Sequence, residues 1–152
     1  MDLHHKFVLS DEGITEEHLN FFKEYGFIHF KHFFSKEQIQ HALQAIEALQ
    51  EGWISDGMEK INGIPIKFGK DENGKTIIQR FAFASLHSDY LHRMLEDKRI
   101  SGLKKFIGDD ARIAENEKDG LVINHFVNTG ESTFTKLGWH TDGLRDLVIN
   151  MK

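Results

Sequence analysis

The chain has 152 residues, which is enough for one ordinary domain with a core that folds unaided. Its charged fraction of 28% is normal for a soluble protein, and its apolar fraction of 39% is somewhat low. The formal net charge is −5 and the charges are of mixed sign, which argues against a nucleic-acid-binding surface, because such a surface needs clustered Lys and Arg.

Disulfide and membrane signals are both missing from the sequence. The chain has no cysteine, so neither a disulfide framework nor a zinc–thiolate site is available. Its first residues lack the apolar run of a secretory signal, and no window approaches the roughly 18 apolar residues that span a bilayer. We therefore expect a cytoplasmic protein without a membrane partner.

Two helices are predicted in the first third of the chain. Thr15 is a suitable N-cap for the first helix, and Gly26 is expected to end it. Ser35 and Gln38 have the spacing of a capping box at the start of the second helix. Apolar residues then recur at helical spacing until Gly52, which is expected to end that helix.

The short segment between these helices is rich in aromatic residues. Phe27–Phe30 has the composition of a strand. His29 and His32 lie close together in the sequence, so a shared metal site is one interpretation. The alternative is that they flank a packed cluster of phenylalanines.

A β-hairpin is predicted in the middle of the chain. Its strands are Ile64–Phe68 and Thr76–Phe83, and Asn73-Gly74 is a strong turn signal between them. The second strand is expected to place four side chains on one face: Ile77, Gln79, Phe81 and Phe83. Gln79 is a polar residue among apolar neighbours. It either contacts a substrate or is a buried amide with its hydrogen bonds satisfied.

The rest of the chain has a weaker pattern. Residues 88–95 are predicted to be helical, with an interruption near Lys98 and a further helical stretch over 103–107. Residues 121–128 are predicted to form a strand, and a turn-rich stretch follows it. Helices first and strands second indicate an α+β fold.

Gly138–Gly143 is the stretch with the clearest chemistry. Side chains alternate between faces in an extended segment, so His140 and Asp142 would project to the same side. An imidazole and a carboxylate on one face are two of the three protein ligands of a non-haem iron(II) centre, and the third is a second histidine. No histidine follows His140 in the sequence. The alternative is that Asp142-Gly143 is an exposed turn that only reverses the chain.

Three segments occur in an order that is informative when they are taken together: Phe21–Ile28 with Phe33–Ser35 and the helix to Leu49, then Leu91–Gly108, then Gly138–Asp142. In these segments the chain resembles the phytanoyl-CoA dioxygenases, a family of Fe(II)- and 2-oxoglutarate-dependent oxygenases. The resemblance implies N-terminal helices packed on an incomplete double-stranded β-helix (jelly-roll, cupin-like) core. It also implies hydroxylase-type C–H oxidation of a small organic substrate by O₂.

The same resemblance implies a set of site residues. Iron(II) would be held by His140, Asp142 and a distal histidine. The cosubstrate 2-oxoglutarate would chelate the metal and place its far carboxylate on an arginine beyond that histidine. Asn128 is expected to contact the cosubstrate. Gln79 is the expected substrate contact on the separate ground of its position in the strand pattern, not of the resemblance.

Only ten residues follow Asp142, so the distal histidine and the arginine are missing. Residues 1–152 are therefore expected to be a single domain, the N-terminal part of a truncated oxygenase fold. Turnover would need the missing part, and an exposed sheet edge is expected to favour self-association.

Two other functions are compatible with the same residues. One is a non-catalytic binding or interaction module, which the missing distal histidine favours. The other is a different metal enzyme, such as a cupin-like hydrolase or isomerase, whose remaining ligands come from His125 or His87.

Overall fold

The computed structural model describes residues 3–108, 110–111 and 121–125. Within these residues the chain forms four α-helices, two 3-10 turns and two small antiparallel sheets. The elements are α1 (Glu16–Tyr25), α2 (Lys36–Ser55), β1 (Lys60–Ile61), β2 (Ile64–Pro65), β3 (Lys67–Lys70), β4 (Thr76–Phe81), a 3-10 turn (Ala84–Leu86), α3 (Asp89–Leu95), α4 (Lys98–Gly102), a second 3-10 turn (Leu103–Phe106) and β5 (Ile123–Asn124).

The first helix begins and ends as the sequence predicts. Thr15 is extended at the N-cap, and Gly26 ends α1 in a left-handed conformation with φ of 75°. The third helical residue is His18, whose Nδ1 accepts the Thr15 backbone N–H at 3.1 Å. A histidine thus takes the place that Glu or Gln usually has in a capping box.

The second helix starts as predicted but does not end at Gly52. Its capping box is complete, because Gln38 N–H donates to Ser35 Oγ at 3.1 Å and Ser35 N–H donates to Gln38 Oε1 at 2.9 Å. The helix continues to Ser55 and buries Trp53. A glycine costs only about 1 kcal/mol in a helix interior, and burial of the following tryptophan exceeds that cost.

The prediction of a strand at Phe27–Phe30 is wrong. Phe30 forms only a single parallel bridge with Phe7, and the chain turns at once through His32, whose φ is 56°. Phe27 is exposed. One bridge partner is too little to extend a ladder, so the strand propensity of this segment is not realised.

The hairpin is confirmed, with different bounds. β3 pairs with β4 around residues 71–75, where Asp71 Oδ1 accepts the N–H groups of Asn73 (2.9 Å) and Lys75 (2.8 Å). Ile64–Pro65 (β2) belongs to a separate two-stranded sheet, in which it pairs antiparallel with β1, the strand that precedes it in the chain. Asn62-Gly63 links these two strands with φ values of 49° and 83°, which is the geometry of a two-residue hairpin turn.

β4 is the central strand of the sheet β3-β4-β5. It ends at Phe81, because Phe83 has a left-handed conformation with φ of 59° and directs the chain into the 3-10 turn. Leu121 bonds to that turn, where its N–H donates to Ser85 Oγ and its carbonyl accepts from Ala84, both at 3.0 Å. The α+β class is therefore confirmed.

The helices and strands meet in one hydrophobic core. Trp53 of α2 packs against Phe81 of β4 with ring centroids 5.7 Å apart. The Ile78 N–H donates to Gln50 Oε1 of α2 at 2.8 Å. The buried core residues are Ala42, Trp53, Ile61, Ile78, Phe81, Ala82, Phe83, Ala84 and Leu91.

A second group of packed rings, the N-terminal aromatic cluster, lies apart from this core. Its members are Phe7, His18, Phe21 and Phe30, whose rings contact one another. Phe30 also contacts Phe106 of the second 3-10 turn.

None of the described helices is long and apolar enough to cross a membrane.

Arg99 of α4 joins the segment beside this cluster to α2. Its guanidinium bonds the side chain of Asp97, the Phe33 carbonyl and Gln38 Oε1 of the α2 capping box, the last at 3.2 Å. It also lies over the rings of Phe33 and Phe34, 5.4 and 5.3 Å from their centroids.

Replacing Gly52 by Ala is expected to raise the free energy of unfolding by about 0.5 to 1 kcal/mol, because a Cβ there meets nothing within 4 Å and alanine favours a helix. Gly57→Ala is the matched control, and it should lower stability by about 1 kcal/mol because the φ of Gly57 is +62°. Urea unfolding followed by circular dichroism measures both. A loss of stability in Gly52→Ala would contradict the helical position of this glycine.

Arg99→Lys is expected to lower the free energy of unfolding by about 1 to 3 kcal/mol, because lysine keeps the charge but cannot reproduce the planar set of donors. Arg93→Lys, on the exposed side of α3, should change stability by no more than about 0.5 kcal/mol. Equal effects in the two variants, measured by urea unfolding, would rule out a role for guanidinium geometry.

Candidate functional site

β4 is buried on both faces at its centre. Gly69 pairs with Ile77 and Phe68 pairs with Ile78, so Ile77 and Ile78 point to opposite faces. Their exposed fractions are 4% and 0%. Antiparallel sheets commonly have one solvated face, so this strand lies in a more enclosed position than a simple two-layer fold requires.

Gln79 lies at an irregularity in this strand. The register of β3 against β4 shifts between Lys67, which pairs with Arg80, and Phe68, which pairs with Ile78. Gln79 is thus the extra residue on β4, and such bulges change the direction of side chains. Its side chain is buried and lies directly over Gly69. A Cβ added to Gly69 would be only 2.8 Å from Gln79 Cγ.

This contact identifies the face of the sheet on which Gln79 lies. A Cβ on Gly69 would point to the same face as Ile77, its direct partner, so Gln79 shares that face with Ile77, as the alternation predicts. The shared face of Ile77 and Gln79 is therefore as predicted, but the prediction is wrong for Phe81 and Phe83. The bulge moves Phe81 to the face of Ile78, where it packs against Trp53, and Phe83 lies beyond the end of the strand.

His125 is brought next to Gln79 by the pairing of β5 with β4. Its N–H donates to the Gln79 carbonyl at 2.8 Å, directly beyond the pairs Phe81–Ile123 and Arg80–Asn124. The half-buried His125 therefore adjoins Gln79 through the backbone.

The other histidines considered as metal ligands are not gathered into a site. His87 follows the first 3-10 turn, and its ring packs edge-on against Trp53 at 5.5 Å. His29 and His32 are exposed beside the N-terminal aromatic cluster, which agrees with their interpretation as flanking residues. Over residues 3–108, 110–111 and 121–125, no three His, Asp or Glu side chains are placed to hold a metal ion.

The predicted iron ligands His140 and Asp142 lie outside the described residues, as does Asn128. Gln79 is therefore the one residue of the predicted site that lies in the described part of the chain. Asn128 is three residues beyond His125 in the sequence, so these positions are connected by a short stretch of chain.

Two cavities open elsewhere on the described surface. One of about 600 Å³ lies between residues 9–13 and the junction of α3 with α4. The other, of about 450 Å³, is mainly apolar and is lined by residues such as Phe30, Phe34 and Leu103. Neither is lined by Gln79, His87 or His125.

Gly69 is the site residue that the sequence prediction missed. An isolated glycine within a strand often marks a bulge or the close approach of another group, and this signal was available at residue 69. The hydrogen bond from the His125 N–H to the Gln79 carbonyl had no local signal, because the two residues are far apart in the sequence.

Comparisons with known proteins gave no match to this chain. No family model matches it, and no curated protein or solved structure is similar enough to count as a match.

Gly69→Ala is expected to cost about 1 to 3 kcal/mol of stability, because the added methyl group overlaps the buried Gln79 side chain. In a Gln79→Ala background the same substitution should cost clearly less, because the overlapping atoms are gone. Urea unfolding of the two single variants and the double variant gives the coupling free energy. A coupling of zero would show that the two side chains do not meet.

Proposed function

We propose that this chain belongs to an Fe(II)- and 2-oxoglutarate-dependent oxygenase of the phytanoyl-CoA dioxygenase type, built on a jelly-roll core. The observation that carries the proposal is the pair His140 and Asp142, which supplies two of the three ligands of such an iron site. The order of the three family-like segments along the chain supports the same assignment.

The enclosed position of β4 agrees with this proposal. A jelly-roll core has two sheets, so a strand can be covered by helices on one face and by the other sheet on the opposite face. Ile77 and Ile78 are buried on opposite faces of β4. This pattern supports a two-sheet core, although the described strands alone form smaller sheets.

The residues of the chain have distinct roles in this proposal. His140 and Asp142 hold the metal, which when bound supplies the oxidation of the substrate with O₂ and 2-oxoglutarate. Asn128 contacts the cosubstrate. Gln79 orients the substrate through its amide. The direction of that amide is fixed by the bulge and by the space that Gly69 leaves free, because Gly69 has no side chain.

Burial around Gln79 has a second consequence for the site. Ile77 shares its face and is 4% exposed, so the amide lies in a position from which bulk water is largely excluded. Hydrogen bonds to a ligand are stronger in such surroundings than in water.

The binding of iron(II) by the 152-residue chain tests this proposal. Anaerobic thermal unfolding with iron(II) and 2-oxoglutarate should show a modest rise in Tm, because ligands that bind the folded state stabilise it. At an iron concentration of ten times Kd, the stabilisation would be about 1.4 kcal/mol. His140→Ala and Asp142→Ala should each remove the rise.

His125→Ala and His87→Ala are the controls, and both should retain the rise. If either of them abolishes it while His140→Ala does not, the cupin-like hydrolase or isomerase is the better assignment. No iron-dependent rise in the unaltered chain would favour the non-catalytic binding module.

A further inference from the structure

Residues 3–14 run across the N-terminal aromatic cluster, and we call them the N-terminal strap. The strap is fixed at two buried side chains, Phe7 and Ile14, which are 5% and 7% exposed. At Phe7 the backbone is also bonded: its N–H donates to the His29 carbonyl, and its carbonyl accepts from Lys31, both at 2.9 Å. The bridge at Phe7 is therefore the place where the strap joins the rest of the fold.

The site that receives the Phe7 side chain contains a histidine. His18 of α1 is 5% exposed, and its ring packs edge-on against Phe7 at 4.9 Å and Phe30 at 5.2 Å. Phe7 also contacts Phe21 at 5.1 Å. The imidazole is thus the one titratable side chain within the N-terminal aromatic cluster.

The hydrogen bonds of His18 define its protonation state. Nδ1 accepts the Thr15 backbone N–H at 3.1 Å, so this nitrogen carries a lone pair and the proton is on Nε2. A second proton on Nδ1 would oppose the Thr15 N–H, donor against donor. It would also place a positive charge among aromatic rings and away from water.

Burial lowers the pKa of His18 below its usual value, and the nearby Glu17 carboxylate opposes this effect in part. The other titratable groups on the elements around His18 are exposed at the surface, apart from the half-buried Tyr25 of α1. They are His4, His5, Lys6, Asp11 and Glu12 on the strap, Glu16, Lys23 and Glu24 on α1, His29, Lys31 and His32 beside Phe30, and Lys104 and Lys105 beside Phe106.

We propose that the N-terminal strap is a pH-sensitive latch, in which protonation of His18 at Nδ1 releases Phe7 and detaches the strap from residues 29–31. Residues 9–13 of the strap form one wall of the cavity of about 600 Å³ beside Asp97 and Arg99. Release of the strap therefore alters that wall. The latch does not depend on the proposed oxygenase function.

The direction of the pH dependence follows from linkage. Because the pKa of His18 is lower in the closed state than in the open state, the open state binds the proton more strongly. Above the ordinary histidine pKa of about 6.5, protonation of His18 does not oppose closure of the latch. Opening becomes more favourable as the pH falls through that value toward the lower pKa of the closed state.

Hydrogen exchange of single amides, measured by NMR on the full chain between pH 7.5 and 5.5, tests the latch. After correction for the intrinsic pH dependence of exchange, the Phe7 and Lys31 amides should lose several-fold in protection at the lower pH. The Ile78 amide in the main core, which bonds to Gln50, should keep its protection. A loss of protection shared equally by all three amides would overturn the proposal, because it would indicate global unfolding.

His18→Gln should remove the pH dependence, because glutamine can serve at this position of a capping box but does not titrate. His5→Gln is the matched control: His5 also contacts Phe7, at 4.3 Å, but is exposed, so this variant should behave like the unaltered chain. An unchanged pH dependence in His18→Gln would overturn the latch. The His18 ring can also be titrated by NMR in the unaltered chain, and a pKa at or above 6.5 would overturn the latch even if the variant fails to fold.

Discussion

The enclosure of β4 on both faces is the constraint on which the rest of the described structure depends. A strand buried on both faces must have its backbone paired on both edges or bonded to side chains, because unpaired polar groups are costly away from water. β3 and β5 provide the pairing, and Gln50 of α2 accepts the Ile78 N–H. The strand therefore connects α2, the hairpin and residues 121–125 in a single unit.

Local features were predictable from the sequence because their causes lie within a few residues. Thr15, Ser35 and Gly26 act at helix ends through bonds to neighbours three or four positions away. Features that depend on distant partners were not. Gly52 continues the helix because Trp53 packs against β4, and Phe27–Phe30 fails as a strand because its pairing partner is a single residue, Phe7.

The candidate site shows the same division. The types of side chain at His140 and Asp142 predict a metal-binding chemistry, which stays a prediction because both residues lie outside the described part of the chain. The alternation in β4 predicts the shared face of Ile77 and Gln79, but not the bulge that moves Phe81 to the opposite face. The neighbouring position of His125 depends on strand pairing over more than forty residues of chain, which no local pattern specifies. Histidine as the third residue of α1 was overlooked because capping boxes usually contain Glu or Gln there.

The separation of the N-terminal aromatic cluster from the main core has a consequence for cooperativity. Each group buries its own apolar surface, and Arg99 is a polar link between the segment at Phe33 and α2. Proteins built in this way open in sub-global units whose free energies differ from that of complete unfolding. We expect the first thirty residues to behave as one such unit, so that the start of the chain can become exposed to a protease or partner while the sheet remains folded.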